Sequence, residues 1–89
     1  MTENYDTILA SLKERLLEKH EKYGTSYLHP HITYHWLLNR RLEGELMELR
    51  DALNYNEDKV IEEALDVAIC ALLIADKKLK EREKNELGY

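Results

Sequence analysis

VIEEALDVAICALLIA, residues 60–75, is the stretch that decides the fold. At about 100° per residue its apolar side chains surround a helical cylinder instead of forming one stripe, the mark of a helix covered on most sides. The longest unbroken apolar run, residues 67–75, has nine members, against the ~20 that a membrane span needs. The stretch therefore reads as the core helix of a chain with no membrane partner. Two of the three acids that interrupt it share a face. Glu63 and Asp66 lie three apart on one face, and that face continues through Cys70 and Leu73 to Lys77.

Working outward, Asn54-Tyr55-Asn56 closes the helix before it, and Asn56 can cap the third helix, with Glu57 and Asp58 favourable in its first turn. The second helix carries a stripe of Leu38, Leu42, Leu46, Leu49 and Leu53. In the first, Asn4 reads as the cap, and Tyr5, Ile8, Leu9, Leu12, Leu16, His20 and Tyr23 recur at three- and four-residue steps until Gly24 supplies a left-handed stop. Residues 25–32, with the only proline, form a loop. Helices are expected over about 4–23, 32–54 and 57–84, with residues 85–89 frayed. No strand pattern or internal repeat appears. The expected fold is all-α: a single domain over residues 1–89, a small three-helix protomer with room for an extra short turn.

Eighty-nine residues bury only about 60–65% of their unfolded surface. With the all-round apolarity of the third helix, this predicts a helical bundle completed in a homo-oligomer. The formal charge of −5 argues against nucleic acid or an anionic membrane as partner, since both need a basic face. A polyphosphate remains open to an acidic protein if a cation mediates. The amino terminus lacks the basic-then-apolar pattern of a secretory signal. The single Cys70 reads as a buried hydrophobe in a reducing compartment. Cytoplasmic localisation is the expectation.

The acids carry the chemistry. Glu45 falls only about 40° from the centre of the leucine stripe, with Glu48 one turn along on the flank. An inward carboxylate costs several kcal/mol unless paired, protonated or bound to a cation. Each helix thus presents an i, i+3 acidic pair, and a short link favours antiparallel neighbours that bring Glu45, Glu48, Glu63 and Asp66 together. Four oxygen ligands suit a hard divalent cation such as Mg²⁺ or Mn²⁺. There is no EF-hand loop, and no paired Glu-x-x-His for a di-iron site.

The string Leu42-Glu43-Gly44-Glu45-Leu46-Met47-Glu48, fourteen intervening residues, then Glu63-Ala64-Leu65-Asp66-Val67 resembles the ExxE…ExxD signature of the MazG-like, all-α nucleotide pyrophosphohydrolases. The resemblance covers residues 40–77. It implies a metal-dependent enzyme that hydrolyses (d)NTPs to monophosphate and pyrophosphate, with Glu45, Glu48, Glu63 and Asp66 as metal ligands and catalytic groups. Relatives are dimers or tetramers, so it also implies a homodimer or homotetramer. Arg41-Leu42 stands where many members carry two glutamates. Ile69-Cys70 stands where the phosphoribosyl-ATP branch often has Tyr-His, so that branch's substrate is not implied.

Lys77 shares the Asp66 face and can contact a phosphate tail, or simply belong to a solvated lysine run with Lys78 and Lys80. Tyr23 and Trp36 can stack on a nucleobase. Trp36 lies opposite the leucine stripe, exposed, at a subunit contact or against a ligand. His29, His31 and His35 lack a convincing fourth zinc ligand and read as loop or interface residues. The same residues also fit a non-catalytic helical protein-interaction module whose acids are structural.

Overall fold

A computed structural model describes residues 2–86, and the side chains of residues 4–84. Helix α1 covers Thr2–Tyr23. It begins ahead of Asn4, so the expected cap sits inside the first turn, where backbone N–H groups have no intrahelical partner and asparagine is tolerated. Its end follows the sequence: Gly24 takes φ +65° and donates its N–H to the His20 carbonyl at 2.9 Å.

The loop that follows contains a short 3₁₀ turn, Ser26–Leu28. Two side chains of the last helix tie it down. Lys77 Nζ donates to the carbonyls of Tyr27 and His29, both at 3.2 Å, and the buried Tyr27 donates its hydroxyl to Asp76. The His29 and His31 rings stack with centroids 4.9 Å apart.

Helix α2 runs over residues 34–55 and is not uniform. A single α-turn, Tyr34–Trp36, leads into a π-helical segment, Leu37–Leu42, and then into regular α-helix, Glu43–Tyr55. Thr33 caps it, accepting from the Trp36 N–H at 3.0 Å. The Glu43 N–H donates to the Leu38 carbonyl, an i→i−5 bond that winds the chain more slowly than an α-turn. Asn56 leads into a 3₁₀ turn, Glu57–Lys59, holding it by its backbone carbonyl and not by the expected side-chain cap. Helix α3 then spans Val60–Glu86. Asn85 and Glu86 remain helical instead of fraying, and residues 87–89 lie outside the described residues.

Helix α2 packs antiparallel on α3: Glu48 faces Glu63, and Arg41 and Glu45 approach Cys70 further along. Helix α1 runs beside α3 in the same direction, with Arg15 at Glu62 and Lys19 at Asp66. The core is small. Tyr27, Leu37, Ala52, Leu65, Ile69 and Cys70 are its buried apolar members, Ile69 the deepest at 1% exposure.

Helix α3 is covered on one face only, contrary to the all-round burial its composition predicts. Ile61 is 73% exposed, and Leu72 and Leu79 also face outward. The stripe of α2 divides as well: Leu42 and Leu49 are half-buried while Leu38, Leu46 and Leu53 are exposed. Three helices of one chain cannot enclose a central helix. Among the described residues, no helix is long and apolar enough to cross a membrane, and there is no strand.

Candidate metal centre

The regular part of α2 points Glu45, Leu49 and Ala52 inward at four- and three-residue steps, so a carboxylate occupies a core-facing position. Glu48 follows on the exposed flank, and Glu63 meets both from α3. Glu45, Glu48 and Glu63 each offer an oxygen within 4.8 Å of the others. One oxygen of Glu45 and one of Glu63 are buried without a hydrogen-bond partner. Burial, then the neighbouring Glu48 carboxylate, then the charges of Asp66 and Glu62, push the Glu63 carboxyl above the usual range. Like charges with orphaned oxygens in a partly dry setting are unfavourable unless a proton or a cation joins them. The donor set, all carboxylate oxygen, fits a hard divalent ion.

Asp66 belongs elsewhere. It is 9% exposed, and its Oδ1 accepts from Arg15 Nε at 3.1 Å and Nη2 at 2.8 Å, with Lys19 Nζ at 3.7 Å. Arg15 Nη1 also reaches Glu62 at 3.4 Å. The expected four-acid cluster is thus a cluster of three, plus a fourth acid one turn away that is paired to α1. Arg15 and Lys19 were not singled out by sequence. The available signal was their i, i+4 spacing on the flank of the Leu12–Leu16–His20 stripe, cations beside a face that must meet an acidic helix.

A cleft of about 90 Å³ opens beside the acids, between α1, the loop, α2 and α3. Tyr23, Tyr27, His20 and Trp36 give it aromatic walls, and Leu73 and Ile32 line it further. Trp36 is 41% exposed there. Lys19 and Arg41 also line the cleft, and Lys19 is the residue that touches Asp66. Arg41 and Lys19 act on the buried Cys70 thiol together with Glu45 and Asp66, although burial dominates and pushes that thiol up. Asp66, Lys19 and the aromatic cleft are therefore contiguous. No family model, curated protein or solved structure matches the chain.

In a regular helix Trp36 and Glu45, nine residues apart, would point to opposite sides. The slower winding over Leu37–Leu42 changes their relative phase, and Trp36 takes its place in the cleft. Lys77, expected at a phosphate tail, is buried at 6% exposure with Nζ donating to two loop carbonyls. The structure gives it the task of holding the loop that carries Tyr27. His29 Nδ1 accepts from the His31 N–H at 3.2 Å, and no histidine joins the acidic cluster.

Proposed function

We propose that this chain is a metal-dependent nucleotide pyrophosphohydrolase of MazG-like type, cleaving the α–β phosphoanhydride of (d)NTPs to a monophosphate and pyrophosphate. The observation that carries the proposal is the carboxylate cluster of Glu45, Glu48 and Glu63 with its orphaned buried oxygens. An aromatic cleft lined by Lys19 and Arg41 adds support, since Lys19 also reaches Asp66, one turn from Glu63. Charge for phosphates and a face for a ring lie side by side.

In this scheme the three glutamates would hold Mg²⁺, with Mn²⁺ as substitute, and Asp66 would complete the set in place of its pairing with Arg15 and Lys19. A cation held there would neutralise phosphate charge and make a nearby water more acidic. A carboxylate of the cluster accepts the water's proton as its oxygen bonds to the α-phosphorus. The bond from that phosphorus to the bridging oxygen breaks, and pyrophosphate leaves with the electron pair. Trp36 and Tyr23 stack on the base. The cleft is below the about 300–1,000 Å³ of sites that enclose a drug-sized ligand, so it takes a ring and leaves the phosphates outside, toward the cations.

The exposed apolar surface supports a homodimer or homotetramer: Tyr5, Ile8 and Leu9 on α1, Leu46 and Leu53 on α2, Ile61 and Leu79 on α3. The same surface favours a second reading, a non-catalytic helical interaction module. A panel of the common (d)NTPs with Mg²⁺, assaying pyrophosphate and inorganic phosphate separately, decides between them. Pyrophosphate release that Glu45→Gln lowers by about 100-fold or more supports the enzyme. No pyrophosphate from any nucleotide, and no rise in melting temperature with Mg²⁺ or Mn²⁺, leaves the interaction module.

A further inference from the structure

Asp66 is the one acid of the motif that stands outside the cluster, and the reason is specific. Both Nε and Nη2 of Arg15 donate to its Oδ1, and Lys19 approaches the same oxygen. These cations come from α1, whereas Glu45, Glu48 and Glu63 come from α2 and α3. Asp66 is nearly buried, so it needs a counter-charge at all times. Glu63, one helical turn away, belongs to the cluster that gains a divalent charge when a cation binds.

We infer that Arg15 is a substrate-binding residue with two alternating partners. It pairs with Asp66 when the acidic cluster holds no cation, and with the phosphate oxygens of the substrate when Asp66 turns to the cation. The inference rests on the pyrophosphohydrolase reading and assigns the polyphosphate half of that site. A guanidinium fork fits carboxylate and phosphate equally well, so the exchange loses no hydrogen bond. Lys19, which touches Asp66 and also lines the aromatic cleft, lies on the path between the base and the phosphates. Two consequences follow from linkage. Arg15 competes with the cation for Asp66, and cation and phosphate bind with positive coupling.

The test is calorimetric and needs no turnover. Mn²⁺ is titrated alone, then pyrophosphate at saturating Mg²⁺, into the full chain and its variants. Arg15→Gln is expected to bind Mn²⁺ several-fold more tightly, because its competitor is gone, and pyrophosphate about tenfold more weakly or worse. Arg15→Lys, which keeps the charge but not the fork, shows the same opposed changes at smaller size and serves if Arg15→Gln does not fold. Lys59→Gln removes an equal charge from an exposed pair with Glu62 and changes neither affinity by more than about twofold. The proposal is overturned if Arg15→Gln weakens both ligands, or leaves either unchanged. If the wild-type chain binds no Mn²⁺, the enzymatic reading fails and takes this one with it. If it binds Mn²⁺ in a manner abolished by Glu45→Gln, yet Arg15→Gln gives no opposed changes, only the exchange fails.

Discussion

Glu63 concentrates the electrostatic cost of the site. Its carboxyl is raised above the usual glutamate range by burial first and by Glu48 next. A group whose folded pKa is raised favours the folded state when protonated, so its contribution is present below the unfolded pKa and is lost as pH rises through the folded one. The metal-free chain should therefore gain melting temperature as pH falls from neutral toward about 4.5. Asp76 acts in a separate window. The Tyr27 hydroxyl and then Lys80 hold it below 3.8, so its stabilisation is lost only under stronger acid. Glu63→Gln should remove the neutral-pH penalty, stabilising the metal-free fold by about 1 kcal/mol, some 4–8 °C at this length. Saturating Mn²⁺ should reverse the wild-type pH trend, because cation binding displaces protons. Differential scanning calorimetry across pH, with and without Mn²⁺, checks both. An unchanged or lower melting temperature in Glu63→Gln would show that Glu63 carries no such penalty.

At the scale of elements, α2 is where periodicity misleads. A pattern read at about 100° per residue throughout places Trp36 opposite the leucines, but the π-helical turns of Leu37–Leu42 intervene. No glycine or proline in that segment announces them. Removing Asn39 returns the segment to α-helical winding, because a π-turn is one residue longer than the α-turn it replaces. Helix content by circular dichroism should be kept, while Trp36 leaves the cleft and its fluorescence becomes more solvent-like. Retention of the wild-type emission would mean that the π-turns do not set the place of Trp36. Helix α3 was the better guide. Its face of Asp66 and Cys70 is buried as the spacing predicts, with Glu63 and Leu73 half-buried beside it. Ile69→Ala, at the best-covered position, should cost about 2–5 kcal/mol by chemical denaturation. A loss below 1 kcal/mol would mean that the α2–α3 seam is not the core.

On the scale of the whole molecule, an extent of 48 × 29 × 23 Å and the few buried apolar side chains among the described residues lead us to predict self-association. Leu46 and Leu53, seven apart, give α2 an outward apolar edge, and Ile61 and Leu79 do the same for α3. Sedimentation should give at least twice the 10.6 kDa chain mass. Leu46→Lys combined with Leu53→Lys should shift the chain toward monomer and lower its melting temperature. A wild-type monomer at micromolar concentration would leave this edge as a surface for another protein.

The sequence by itself determined the helices and the stop at Gly24, because helical periodicity and a left-handed glycine are local properties. It also marked Glu45 and Glu63 as inward acids, since phase along a regular helix needs no knowledge of neighbours. Tertiary structure alone decided what the acids meet. Arg15 and Lys19 lie more than forty residues from Asp66 in the chain, and only the side-by-side run of α1 and α3 sets them against it. The same holds for Lys77, whose surroundings as a buried strap depend on the loop folding back over α3. The fourth acid was legible as an acid. Its partner was not.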